Sequence, residues 1–164
     1  MDNNRHMNES EAPAARTVAG LSLKGRALRL LAAREQSRAE LERKLAPHEE
    51  TPGQLAQVLD ELAAKDFINE SRVVDSVLNR RASRFGAARV RYELLGKGLD
   101  AELVLDAMQG LKATEVERAR EVWRKKFGSL AADPAERAKQ MRFLAARGFG
   151  ADAIRRVVSQ SEDD

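Results

Sequence analysis

The sequence contains no cysteine, and only 4% of its 164 residues are aromatic. The lack of cysteine excludes disulfide bonds, thiolate catalysis and zinc or iron–sulfur centres with cysteine ligands. No run of about 18 uncharged apolar residues is present, and the first ten residues (MDNNRHMNES) lack the apolar core of a signal peptide. We therefore expect a cytoplasmic protein with no part in the membrane.

Residues that favour strands are scarce, whereas residues that favour helices are abundant. The chain has 27 alanines, 29 lysines and arginines and 26 acidic residues, but only ten glycines and four prolines. Alanine, arginine, lysine and glutamate favour helices, and aromatic residues favour strands. Because 43% of the residues are hydrophobic, wholesale disorder is excluded. The composition predicts a folded, all-α protein.

Local capping signals divide the chain into nine predicted helices, in three sets of three. Ser37 with Glu40 and Thr114 with Glu117 each have the spacing of a capping box, and Asn69 and Asp133 are suited to cap two further helices. We predict five segments: a flexible N-terminal tail (1–20), three three-helix repeats (21–66, 67–112 and 113–160) and an acidic C-terminal tail (161–164).

The second and third predicted repeats also resemble each other in sequence. Residues 94–99 (LLGKGL) align with residues 144–149 (LAARGF) at an offset of 50. A three-helix unit is too small to bury its own apolar residues, so such units stack. We predict an elongated, curved array. Phe67, Leu99 and Phe149 each follow a turn and are predicted to pack between helices.

Charges along the chain alternate in blocks rather than mixing evenly. Residues 72–97 have seven basic and two acidic residues, and residues 118–147 have nine basic and three acidic ones. The segments 40–70 and 98–117 are acidic overall. Such blocks indicate basic and acidic faces, and a basic face is typical of proteins that bind a polyanion.

No set of residues suited to catalysis is present. His6 lies in the predicted tail and His48 in a predicted loop, and neither has the spacing of a metal-binding helix. A phosphate-binding loop sequence is absent, and no nucleophile, base and orienting group can be argued as a set. We expect a protein that is not an enzyme and uses no metal or cofactor.

Basic residues are the stronger signal for a binding surface. Lys44, Lys97 and Arg147 occupy one repeat position, at the end of each second helix. There a cation either complements the helix dipole or binds a ligand, and the sequence leaves both roles open. The predicted binding residues are twelve of the sixteen cations of the two basic blocks: Arg80, Arg81, Arg84, Arg89, Arg91, Lys97, Arg124, Lys125, Lys126, Lys139, Arg142 and Arg147.

Aromatic side chains near these cations have two interpretations. Trp123, Tyr92 and Phe127 are of the kind that stacks on nucleobases. Trp123 lies at helical spacing beside other apolar residues, which favours packing in the core. We assign none of the three to ligand binding.

Several of these strings, in their order and spacing, resemble the RecX family. They are KDFINE (65–70), Arg80, RFG (84–86), YELLGKGL (92–99), KKF (125–127) and FLAARGF (143–149). The resemblance covers about residues 21–159. It implies three tandem three-helix repeats and a regulator of the RecA recombinase. It further implies binding in the groove of the RecA–DNA filament, with inhibition of strand exchange, ATP hydrolysis and coprotease function. It implies no catalytic residues.

Two alternatives to this function remain open. One is a direct DNA-binding protein built from helix-turn-helix-like units. Against it, the basic residues are spread over several helices, and no helix has the mixture of Asn, Gln and Arg that reads base edges. The other is a structural helical adaptor, which the charge blocks disfavour. We expect a monomer that binds the RecA filament and, weakly and without sequence preference, single- and double-stranded DNA.

Overall fold

The computed structural model describes residues 20–159, and these fold into α-helices with no strand among them. The predicted all-α class is confirmed. The predicted tails lie outside the described residues, apart from Gly20. The helices are α1 (Leu23–Ala33), α2 (Arg38–Leu45), a 3-10 helix (Ala46–His48), α3 (Gln54–Ala64), α4 (Glu70–Arg81), α5 (Ala87–Gly96), α6 (Ala101–Lys126), α7 (Pro134–Ala146) and α8 (Ala151–Val158).

The described residues thus form eight α-helices rather than the nine predicted, because α6 is continuous where two helices were expected. Thr114 does not cap a new helix there. Its hydroxyl donates to the carbonyl of Leu111, 3.4 Å away, inside the helix. No proline interrupts residues 101–126, and Leu111 and Ala119 are both buried on either side of Thr114. A capping box starts a helix only where the chain before it is not already helical.

Three separate hydrophobic cores lie along the chain. The first unit (α1–α3) encloses Leu41, Leu59 and Leu62, all fully buried. The second unit (α4, α5 and the first half of α6) has a core within residues 73–111. The third (the second half of α6, α7 and α8) has a core within residues 119–158. Since the main helix–helix contacts lie within these sets, the units form an array with α6 shared by two of them.

The residues that follow the turns pack as predicted in two cases of three. Leu99 and Phe149 are buried, with 7% and 5% of their surfaces exposed. The prediction for Phe67 is wrong, since 48% of its surface is exposed. The next residue, Ile68, takes the place in the first core. Asp66, at the turn before it, has a φ of 63°, and the chain leaves this turn so that residue 68 faces inward.

Polar contacts join the first unit to the second. The Ser37 hydroxyl, which caps α2 by accepting from the Glu40 N–H over 3.1 Å, donates to the carbonyl of Lys97 over 2.5 Å. The Lys97 ammonium donates to Glu40 Oε1 over 2.7 Å. The Arg72 Nε donates to Glu35 Oε1 over 2.9 Å. The contacts of Lys97 therefore hold the C-terminal end of α5 against the N-terminal end of α2.

Candidate polyanion-binding surface

Four exposed cations among the predicted residues lie on α4, on α5 and in the segment between these helices. Arg80, Arg84, Arg89 and Arg91 are exposed, and within residues 20–159 none of them forms an ion pair. Arg80 Nε donates to the carbonyl of Ser76, one turn earlier in its own helix, over 3.2 Å. Their charges are therefore balanced by solvent and remain available to an anionic partner.

Phe85, in the segment between α4 and α5, brings three of the predicted cations together. The guanidinium carbon of Arg89 lies 4.3 Å from the centre of the Phe85 ring. Those of Arg81 and Arg147 lie 5.6 and 5.8 Å from it. Arginines at such distances are attracted to the negative face of an aromatic ring. The ring thus gathers cations from the second and third units at one point.

Phe143 extends this cluster into the third unit. The Arg147 guanidinium lies 4.6 Å from the centre of the Phe143 ring, and the Lys126 ammonium lies 5.7 Å from it. Phe127 packs edge-on against Phe143, with 5.3 Å between the ring centres. We call the six residues Arg81, Phe85, Arg89, Lys126, Phe143 and Arg147 the Phe85–Phe143 cluster. It joins both basic blocks of the sequence.

Arg81 differs from Arg80, its neighbour on α4, because it is partly neutralised. Its Nε lies 3.1 Å from Oε2 of Glu93 on α5, an ion pair without the alignment of a hydrogen bond. The pair ties α4 to α5. Arg81 therefore has a structural role in addition to any contact with a binding partner.

Lys97 is a predicted binding residue with little exposed surface. Only 12% of its side chain is exposed, and its ammonium contacts Glu40, of whose side chain only 5% is exposed. Arg34 Nη1 approaches the other oxygen of Glu40 to 3.2 Å. These contacts favour the structural role that the sequence left open for this repeat position.

The equivalent lysine of the first unit, Lys44, lies close to this buried carboxylate. Its ammonium donates to Gln36 Oε1 over 2.9 Å. Burial of the ammonium is the main cause that lowers the pKa of Lys44, and the nearby charge of Arg34 lowers it further, while Glu40 acts in the opposite direction. One carboxylate thus stabilises the cations at this joint.

The remaining predicted cations lie on α6 and α7. Arg124 Nη1 lies 2.5 Å from Oε2 of Glu121, and Lys125 Nζ lies 4.0 Å from Oε1 of the same side chain. All three side chains are largely exposed. Such surface pairs contribute little stability. Lys139 and Arg142, one turn apart on α7, are exposed and have no ion pair among residues 20–159. They extend the positive surface beyond the Phe85–Phe143 cluster.

Arg118 is important to this surface, although it is not among the predicted binding residues. Its Nη1 donates to the carbonyls of Ala82 and Phe85 over 2.9 and 2.8 Å, and its Nη2 donates to that of Leu111 over 2.9 Å. Burial lowers the pKa of its guanidinium. Arg118 therefore fixes the segment that holds Phe85. No local sequence signal separates it from the exposed arginines.

Two of the three aromatic residues considered for stacking are part of the packing. Trp123 is 6% exposed, and its indole N–H donates to Gln140 Oε1 over 2.9 Å. Phe127 packs against the third core. Tyr92, on α5, has 82% of its surface exposed.

Within residues 20–159, no group of three or more histidine, aspartate and glutamate side chains is placed to hold a metal ion. No helix in the same part of the chain is both long and apolar enough to span a membrane.

Models of known protein families match two segments of the chain. The family model of the first three-helix domain of RecX matches residues 24–62, and that of the third matches residues 113–158. Both matched segments lie within predicted repeats. Two of the three units thus correspond to named domains of one family.

Several curated proteins are similar to almost the whole chain. The regulatory protein RecX of Leptothrix cholodnii is 55% identical over 144 residues, which are 88% of this chain and 92% of that protein. Those of Ralstonia nicotianae and Herminiimonas arsenicoxydans are 44% and 46% identical, over 87% and 88% of this chain and 89% and 95% of theirs.

The fold is also that of solved RecX structures. The crystal structure of RecX from Lactobacillus salivarius superposes with a TM-score of 0.69 at 20% identity, covering 84% of this chain and 93% of that one. A second RecX crystal structure gives 0.70 at 17% identity, covering 85% and 72%. With these folds and the sequence identities above, the chain belongs to the RecX family of regulatory proteins.

Proposed function

We propose that the protein inhibits the RecA recombinase by binding in the groove of the RecA–DNA filament. There it suppresses ATP hydrolysis, strand exchange and coprotease activity. Membership of a family of regulatory proteins supports a regulatory role rather than an enzyme activity of its own. We place its action in the cytoplasm, as a monomer.

The observation that carries the proposal is the group of unneutralised cations on α4, on α5 and in the segment between these helices. Arg80, Arg84, Arg89 and Arg91 are exposed and have no acidic partner among residues 20–159. A filament on DNA presents phosphates and acidic side chains along a groove, which is the complement of such a surface. The three units have separate cores and offer contact points at fixed spacing, and several weak contacts at fixed spacing add up to strong binding.

The second candidate function is direct, sequence-independent DNA binding through phosphates. The spread of exposed cations over α4, α5 and α7 favours it, since phosphate contacts need charge but no defined helix in a groove. We propose that this binding to single- and double-stranded DNA is weak and accompanies the action on RecA.

ATP hydrolysis by RecA already assembled on single-stranded DNA separates the two functions. A groove ligand inhibits at concentrations at which the protein leaves bare DNA unoccupied, because phosphate contacts alone are weak at physiological salt. A DNA competitor inhibits only as it covers the strand. Inhibition that follows bare-DNA occupancy at every salt concentration would leave the second function alone, and no inhibition at all would remove the first.

A charge reversal tests whether the basic surface is responsible. The variant Arg80→Glu/Arg84→Glu is expected to lose inhibition and remain folded, since neither side chain has an ion pair among residues 20–159. Arg81 is left unchanged because it pairs with Glu93. The matched control, Arg29→Glu/Lys65→Glu, makes the same change of charge at exposed positions of the first unit and should inhibit as the unmodified protein does.

A further inference from the structure

Tyr92 is the most exposed of the large hydrophobic side chains within residues 20–159. Its phenol takes part in no hydrogen bond in that part of the chain, and it belongs to none of the three cores. Leu95, one turn later on α5, is 42% exposed. The fold therefore gives the Tyr92 ring no packing role, and its aromatic surface is open to a ligand.

The Tyr92 ring lines a cleft of about 270 Å³ together with Arg81, Phe85, Arg89 and Glu93. The two acidic oxygens in the cleft belong to Glu93, which the ion pair with Arg81 neutralises. Arg89 lies over Phe85 and uses Nη1 to donate to the carbonyl of Ala146 over 3.3 Å. A guanidinium carries five N–H donors, so most of those of Arg89 remain available. The cleft thus combines an open aromatic face with an unneutralised cation.

We propose that this cleft binds a nucleotide of single-stranded nucleic acid, with the base stacked on Tyr92 and the adjoining phosphate at Arg89. Every base has a π face, so stacking on tyrosine needs no particular sequence. In a duplex the faces of the bases are covered by their neighbours, and the cleft accepts only unpaired nucleotides. The cleft therefore adds a preference for single strands to a surface whose phosphate contacts are common to both forms of DNA.

This inference rests on the nucleic-acid-binding part of the proposed function and not on RecA. It is tested with the full chain and nucleic acid alone. A failure here leaves inhibition of RecA untouched, and a failure of RecA inhibition leaves the stacking site in place.

Fluorescence anisotropy with three labelled probes of equal length tests the proposal: oligothymidylate, a fully abasic strand and a blunt duplex. The unmodified protein should bind oligothymidylate about tenfold more tightly than the abasic strand, which carries the same phosphates without bases. Tyr92→Ala should remove this difference and leave duplex binding unchanged. Tyr92→Phe should retain it, because the phenol hydroxyl has no partner in the described chain.

Leu95→Ala is the matched control, since it also shortens an exposed apolar side chain on α5. It should bind all three probes as the unmodified protein does, and both truncations should unfold at the same temperature as the parent. Equal binding of oligothymidylate and the abasic strand by the unmodified protein would overturn the proposal. So would a Tyr92→Ala variant that keeps the preference for bases; an effect of that variant confined to RecA inhibition would instead assign the ring to a protein partner.

Discussion

Gly86, before α5, and Gly148, after α7, lie with their backbones in direct contact. The Gly86 N–H donates to the carbonyl of Arg147 over 2.8 Å, and the Ala88 N–H donates to that of Gly148 over 3.3 Å. A Cβ added to Gly86 would lie 2.3 Å from the carbonyl carbon and oxygen of Gly148. The second and third units are therefore joined by main chain at a place where only glycine fits.

Gly86→Ala should lower the free energy of unfolding by about 1–3 kcal/mol, because rigid backbone atoms must move to admit the methyl group. Urea unfolding followed by circular dichroism measures the change. The control is Gly110→Ala, inside α6, where an added Cβ meets nothing within 4 Å; it should raise the free energy of unfolding by about 0.5–1 kcal/mol. Equal stability of Gly86→Ala and the parent protein would contradict the tight contact.

Glu40→Gln should destabilise the joint between the first and second units. The substitution leaves the Lys97 ammonium, 12% exposed, without its counter-charge. We expect a loss of about 2 kcal/mol, less than the 3–5 kcal/mol typical of fully buried pairs, measured by the same unfolding experiment. Glu42→Gln breaks the exposed pair with Arg38 and should cost no more than about 0.5 kcal/mol. Equal losses in the two variants would mean that burial of Glu40 has no energetic effect.

The affinity for DNA should fall linearly with the logarithm of salt concentration, because each neutralised phosphate releases a counterion. Arg84→Ala should reduce the slope for single strands by about 0.7 if the side chain contacts one phosphate. Arg124→Ala should change it less, because Glu121 lies 2.5 Å from this guanidinium. Anisotropy titrations over a range of salt concentrations give the slopes. An affinity indifferent to salt, or strongly dependent on sequence, would count against phosphate contacts.

Acidification should weaken the turn between α3 and α4 through Asp66. Hydrogen bonds from Asn69 and then Arg72 hold the pKa of this carboxyl below its ordinary value. A carboxyl whose pKa is lower in the folded state contributes stability above its unfolded pKa, near 4, and loses it as the pH falls through the folded value. Asparagine also tolerates positive φ. Between about pH 6 and about pH 2, which span the pKa of a carboxyl group, Asp66→Asn should therefore lose less thermal stability than the unmodified protein. Identical pH profiles would exclude this contribution.

The sequence predicted those helix ends that depend only on neighbouring residues. Ser37, Asn69 and Asp133 each accept from the N–H three residues ahead, as their spacing indicated. The start predicted at Thr114 was wrong because the chain before it is already helical. The continuity of the helix at this point depends on the packing of Leu111 and on the contacts of Arg118. A capping pattern in the sequence contains neither of them.

For the candidate site, the sequence identified cations but not their partners. Lys97 and Glu40 are 57 residues apart in the chain and 2.7 Å apart in space. The Arg118 side chain is partly buried and donates hydrogen bonds to the carbonyls of Ala82 and Phe85. Periodicity shows which side of a helix a residue occupies, whereas neutralisation depends on which helix lies opposite. The exposure of Tyr92 followed from the same tertiary arrangement.

The continuity of α6 has a mechanical consequence. At about 1.5 Å per residue, its 26 residues form a rod roughly 39 Å long that runs through two units. The main-chain hydrogen bonds of Gly86 and Ala88 to Arg147 and Gly148 join the same two units at a second place. No helix runs from the first unit into the second, and their joint is made of side-chain contacts such as those of Ser37 and Lys97. Bending of the array is therefore concentrated at that single joint, and the basic surface moves together with the second and third units.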